Sequence, residues 1–294
     1  MNMRAAEGIR PEFFSQRSIH LSRQLDGAEA AWAAMSLRAD YGHACESVLS
    51  LLFASIQAPR CIFGWLHLYK NEDLTELCLR TLEGREYPHM LLESPGGWRE
   101  IAGRILCRAP PIVYAGDGIS AAREEILEGS ITALGKIVED FLDPRGRLEY
   151  NAFKHGFRIK QTSMSVEIQP KGKDPIHVEG GRFGSEVINL EKIDKINYGV
   201  GSDFVSWDPM QMAARLQVAA LWIALLKCFL LIELTDGKAR VQWPFLCSAE
   251  DYLAPWAGGP SLMSAHIAAV LPPKGFPLAG KEEIMEIYER RKHS

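Results

Sequence analysis

Residues 206–234 read SWDPMQMAARLQVAALWIALLKCFLLIEL, and the placement of this stretch decides the fold. Its centre, Val218 to Ile232, holds fifteen residues with one charge, Lys227, and is bordered by Arg215, Gln217 and Glu233. A helix that crosses a bilayer needs about 20 predominantly apolar residues. The run falls short of that and suits a central helix buried in a soluble bundle. Asp208 can cap it, because a side-chain oxygen there accepts from backbone N–H groups left unpaired in the first turn. Pro209 suits the first helical position, where a missing N–H costs nothing. Reaching Leu234, the helix would span about 39 Å.

Just upstream the apolar pattern alternates. Phe157, Ile159, Met164, Val166 and Ile168 belong to a β-like run, followed by turn residues 170–175. Ile176–Val178 and Phe183–Leu190 read as further strands around Gly180 and Gly181. The expectation is a small antiparallel sheet of about three strands, too small to bury a core alone. Residues before it are helical in pattern. Ala28 to Gln57 reads as a long helix that Gly42 would break and Pro59 ends. Cys61–Tyr69 and Asp73–Leu82 follow, the second capped by Asn71, and Trp98–Cys107 comes after a loop. Behind Ser120 as cap, Ile126, Leu127, Ile131, Leu134, Ile137, Val138, Phe141 and Leu142 keep amphipathic spacing. That helix stops at Asp143-Pro144, since the residue before a proline is pushed out of the helical region. Another is expected from about Arg147 to His155, with Gly156 at its end. Downstream, Arg240–Phe245 reads as a strand and Glu282–Arg291 as a charged surface helix.

The fold class expected is therefore α+β, mainly α: a helical bundle with a small antiparallel sheet inserted before a long apolar helix. Residues 1–156 form the first part of the bundle, 157–205 the β insert, 206–235 the core helix and 236–294 a C-terminal extension.

Composition limits function. The chain has 294 residues, 47% hydrophobic and 24% charged, which fits a folded core rather than disorder. A net charge of −4 excludes a chain-wide electrostatic grip on nucleic acid, so any such grip must be local. Cysteines at 45, 61, 78, 107, 228 and 247 form no C-x-x-C pair and read as buried free thiols in a reducing compartment. Residues 1–7 lack the apolar core of a signal peptide. The expectation is a soluble, cytoplasmic protein without a membrane partner. His20, His43, His67, His89, His177, His266 and His293 have no metal-ligand spacing, Gly199–Asp203 lacks the phosphate-loop pattern, and no G-x-S-x-G occurs. No metal and no cofactor is expected.

Residues 145–160, RGRLEYNAFKHGFRIK, stand apart: Arg145, Arg147, Lys154, Arg158 and Lys160 against Glu149 give +5 − 1 = +4. On a helix Asn151 and His155 share a face, with Tyr150 and Lys154 on an adjoining one. Such a cluster suits a phosphate. His155 can donate or accept a proton near neutral pH, Asn151 can orient the group, and Lys154 can stabilise charge on its oxygens. Arg145, Arg147, Arg158, Lys160 and Tyr150 complete the substrate-binding set. The competing reading is structural, with Lys154 and His155 complementing the helix dipole.

Asn151-Ala-Phe-Lys-His155, on a helix that follows a long amphipathic one, resembles the motif region of HEPN domains (higher eukaryotes and prokaryotes nucleotide-binding). The resemblance implies a helical bundle that often dimerises, and a metal-independent endoribonuclease in bacterial defence or stress. The family motif places an Arg, often followed by a polar residue, one to two helical turns before a His. Asn151 and His155 match the polar and His positions. Tyr150 stands where the Arg would be, and Arg147 lies further upstream than the motif holds it. The partner implied is RNA or a nucleotide, with a second copy or another protein as a further one. The alternative, from a different class, is a non-enzymatic helical interaction and assembly module.

Overall fold

In the computed structural model Pro209 to Leu234 form one unbroken helix, opened as its sequence dictates. The Asp208 carboxylate accepts from the backbone N–H groups of Met210 at 2.8 Å and Gln211 at 3.4 Å, and Pro209 occupies the first turn. The far end closes at Gly237, whose φ of +81° lets its N–H reach the Ile232 carbonyl at 2.8 Å. By length and composition this helix could cross a membrane, but 56% of its most apolar window is buried within the protein. Lys227 reaches the edge of the packing and donates to the Ile9 carbonyl at 2.8 Å.

The structure describes residues 2–57, 59–85, 97–106, 119–155, 159–162, 165–168, 176–179, 182–192, 198–244, 249–257 and 262–269. In chain order these form α1 (Asn2–Gly8), α2 (Pro11–Ser22), α3 (Ala30–Gln57), α4 (Ile62–Leu68), α5 (Asn71–Leu82), α6 (Trp98–Leu106), α7 (Ile119–Leu142) and α8 (Pro144–His155). The strands β1 (Ile159–Thr162), β2 (Ser165–Ile168), β3 (Ile176–Glu179), β4 (Gly184–Lys192) and β5 (Tyr198–Trp207) come next. Then follow α9 (Pro209–Leu234), α10 (Ala249–Leu253) and β6 (Leu262–Ala269). Short 3-10 turns lie at Pro59–Cys61 and Ala254–Trp256. The chain is mainly α with a smaller β part, and α9 follows the sheet strands β1 to β5.

Helix α9 is apolar almost all round, which is the pattern of a helix surrounded by others. It packs on α2 and α3. The buried positions of α3, Ala33, Ala34, Leu37, Tyr41, Ala44, Cys45, Val48, Leu49 and Leu52, recur at helical spacing, and the alanines bring the two backbones close. Gly42 does not break α3. A Cβ there would stand 2.6 Å from Cδ2 of Tyr150, so the glycine is the seat of that ring.

Four antiparallel strands form a sheet in the order β1-β4-β5-β6, and β2 and β3 pair as a separate hairpin. Ser185, Val187, Val205 and Trp207 are buried while Ile188 is exposed, as in a sheet covered on one face, and beside Trp207 the alternation lapses, with Ser206 buried too. The fourth strand comes from residues 262–269, a segment expected only as a C-terminal extension.

Other expectations are corrected. Lys70, not Asn71, occupies the cap of α5: its backbone N–H donates to Asp73 at 2.9 Å, and Asn71 is the first helical residue. Helix α7 begins one residue before Ser120, whose side chain lies outside the described residues. Helix α8 starts at Pro144 rather than near Arg147, because Asp143 accepts from the N–H of Gly146 at 3.0 Å and of Arg145 at 3.4 Å. The same Asp-Pro pair thus opens α8 and α9. Residues 240–244 are not a strand: β6 holds the edge of β5, and Cys228 donates to the Gln242 carbonyl at 3.4 Å. Cys45, Cys78 and Cys228 are buried thiols, but Cys61 is exposed. Phe245, Cys107, Cys247, Gly156 and the expected helix 282–291 lie outside the described residues.

Candidate functional site

Helix α8 runs between two concave regions: Tyr150 and Phe153 border both, Lys154 only one, and Arg147 and Asn151 only the other. One is an open groove of about 830 Å³ against α2 and α3, bordered by Arg10, Phe13, His43, Glu46, Tyr150 and Lys154. The other is a crevice of about 30 Å³ among α3, α5, α7 and α8, with space for about two water molecules.

On the groove side both α8 residues turn to Glu46 of α3. The Tyr150 hydroxyl donates to its Oε2 at 2.8 Å, and Lys154 Nζ lies 2.7 and 3.0 Å from its two oxygens. The ammonium also sits 4.6 Å from the centroid of the Tyr150 ring. Burial, reinforced by the Glu46 carboxylate, pushes the Tyr150 phenol well above its ordinary range, so it stays a donor at neutral pH. Lys154 is thereby neutralised in place.

Arg147 and Asn151 face the crevice, together with Asn71. Arg147 is half-buried and has no carboxylate at ion-pair distance among the described residues. His155 stands one further turn along; positions 147, 151 and 155 fall within about 80° around the helix axis. The imidazole itself lies outside the described residues, as does Arg158. Arg145 and Lys160 are exposed and border neither region.

Behind the crevice sit two carboxylate hubs, Glu149 buried and Asp140 partly exposed. Glu149, 1% exposed, accepts from Arg38 Nε at 2.8 Å, Ser185 Oγ at 2.5 Å and Trp207 Nε1 at 2.9 Å. Those donors come from α3, β4 and β5, so this one side chain of α8 pins the sheet to the bundle. Asp140 Oδ2 accepts from the Tyr41 hydroxyl at 2.5 Å, Arg215 Nη1 at 3.1 Å and Trp256 Nε1 at 3.0 Å. Burial alone pulls the pKa of Arg38 down, but Glu149 beside it and Asp140 beyond more than reverse this, and the guanidinium stays charged. Burial, with Cys45 and Asp140 nearby, raises the Tyr41 phenol, and burial pushes the Cys45 thiol up to about 12.

The +4 of residues 145–160 is therefore not an even cationic surface, since Lys154 is paired and Glu149 is spent on the interior. Arg38, Glu46 and Asp140 were not among the expected site residues. Arg38 carried a legible signal: it falls between Leu37 and Tyr41 on the apolar stripe of α3, where a charge must find a buried partner. Among the described residues no group of three or more His, Cys, Asp or Glu converges as a metal site would require. No protein-family model matches this chain, and no curated protein or solved structure matches it either.

Proposed function

We propose that the Arg147–Asn151–His155 stripe of α8 binds a phosphate of RNA or of a nucleotide, in a soluble, cytoplasmic protein of HEPN-like type. The observation that carries this is Arg147: a guanidinium with no described carboxylate partner, one turn from an amide and two from an imidazole position. A partly desolvated guanidinium is a strong phosphate ligand because its parallel N–H groups match two oxygens. Asn151 supports orientation. His155 is placed to hold or move a proton, which in the catalytic form of the proposal makes the chain a metal-independent endoribonuclease in defence or stress.

A second reading, a non-enzymatic interaction and assembly module, is favoured by one observation. Glu46 already satisfies both Lys154 and Tyr150, as a purely structural α3–α8 contact would.

Fluorescence anisotropy with a labelled single-stranded RNA, run beside thermal melting, separates the two. The proposal expects salt-dependent binding, weakened about tenfold in Arg147→Ala at an unchanged melting temperature. If cleavage is detected on gels, His155→Ala abolishes it. Absence of salt-dependent RNA or nucleotide binding by the wild type leaves the assembly module standing.

A further inference from the structure

The narrow crevice beside that stripe holds a second cation. The Arg38 side chain is 9% exposed, and its three nitrogens are unequally engaged. Nε donates to Glu149 at 2.8 Å, and Nη1 meets only the thioether of Met212 at 3.7 Å. Nη2 has no hydrogen-bond partner among the described residues, and the crevice is lined by this side chain. Gly146 keeps the approach open: a Cβ on it would lie 3.2 Å from Arg38 Nη2. An N–H edge without a described partner beside a water-sized space, with Arg147 lining the same crevice, is an arrangement for receiving anionic oxygen. The crevice also borders Asp140 and Glu149: donors engage both oxygens of Glu149, all three donors to Asp140 fall on its Oδ2, and Asp143 Oδ2 lies 3.3 Å from the same Cβ position on Gly146.

The size of the crevice selects the form of the anion. Space for about two waters does not admit a nucleotide or a phosphodiester with a sugar on either side. It admits the free oxygens of a phosphate that ends a chain, entering end-on while its single ester bond stays outside. A terminal monoester also carries close to two negative charges at neutral pH; Arg147 meets it as a charge, and Arg38, whose charge Glu149 already pairs, meets it through the N–H groups of Nη2.

Resting on the α8 phosphate reading above, we infer that this site recognises a terminal phosphate monoester, at the end of an RNA or on a mononucleotide, in preference to an internal phosphodiester. Arg38 Nη2 and Arg147 grip its oxygens from the crevice, and Asn151 lies beside them.

The test compares one RNA sequence in three forms, 5′-phosphorylated, 3′-phosphorylated and hydroxyl-ended, by competition against a labelled RNA. The wild type is expected to bind at least one phosphorylated form about tenfold more tightly than the hydroxyl-ended one. Arg38→Ala threatens the fold, so Gly146→Ala is the working variant: alanine favours a helix, and its Cβ narrows the crevice at Nη2. It should shrink the preference to about threefold or less, in a protein that still melts in one cooperative transition above the assay temperature. Equal binding of all three forms by the wild type overturns this inference and leaves the α8 reading intact, as does a preference that persists undiminished in Gly146→Ala. No binding of any form removes the α8 reading and this one with it.

Discussion

Arg38 Nε and Glu149 Oε2 meet at 2.8 Å across 111 residues of sequence, and both side chains are nearly sealed from solvent. Removing one member of such a pair strands the other charge in a medium that solvates it poorly. Glu149→Ala also leaves Ser185 and Trp207 without their acceptor. We expect it to destabilise the chain by about 3–5 kcal/mol, and Glu149→Gln to cost less because its carbonyl oxygen keeps part of the network. Denaturant midpoints at constant slope measure the difference. A loss below about 1 kcal/mol for Glu149→Ala would show that the hub does not hold sheet and bundle together.

Gly42 and Tyr150 form a second test of how α8 is seated. A methyl group at position 42 would lie 2.6 Å from the ring, closer than any real contact, and the ring is fixed at its other end by Glu46. Gly42→Ala should destabilise by about 1–3 kcal/mol despite the better helix propensity of alanine. Combining it with Tyr150→Ala should restore most of that loss, because the obstructed ring is gone. Strict additivity in this double-mutant cycle would mean that the glycine serves something other than the ring.

What the sequence made legible divides along physical lines. Local signals were clear: the Asp208-Pro209 opening of α9, the stop at Asp143-Pro144 and the amphipathic spacing of α7 all act within a few residues. Non-local pairing was not. Strand β6 belongs to the sheet only because β5 offers it an edge, and nothing between 262 and 269 announces that partner. The site divides the same way. Helical spacing placed Asn151 with the His155 position, but the fate of Lys154 depended on Glu46, which lies 108 residues away. Gly42 read as a helix breaker because its reason, the Tyr150 ring, belongs to another helix.

That Glu46 contact bears on function. The pair is partly exposed, 38% at Lys154 and 24% at Glu46, so its net contribution to stability should not exceed about 1 kcal/mol. Its effect on the surface potential is larger, since Glu46 cancels a cation on the groove side of α8, across the helix from the proposed phosphate site. Glu46→Gln is expected to strengthen RNA binding by about threefold to tenfold and to steepen its dependence on salt by about one phosphate contact. Anisotropy titrations at three salt concentrations read both quantities. Unchanged affinity and slope would mean that RNA bound at the crevice side makes no further phosphate contact at Lys154 on the groove side of α8.

The buried thiols and phenols set the behaviour of the protein in alkali. Burial raises Tyr41, Tyr150, Cys45 and Cys78 above their ordinary values of 10.0 for the phenols and 9.0 for the thiols. Each is an acid that the unfolded chain gives up earlier than the native one, so the native state binds more protons in that window. Stability from these groups is fully present below pH 9.0 and declines as pH rises through 10.0 and beyond. Melting temperatures should therefore hold steady between pH 7 and about pH 9 and fall steeply above it. Thiol alkylation gives the local counterpart. At pH 8 iodoacetamide should label the exposed Cys61 in the native protein well before Cys45 or Cys78, and all three together once the chain is unfolded. Peptide mapping by mass spectrometry reads the order. Early labelling of Cys45 would mean that the crevice beside α3 opens far more readily than its packing implies.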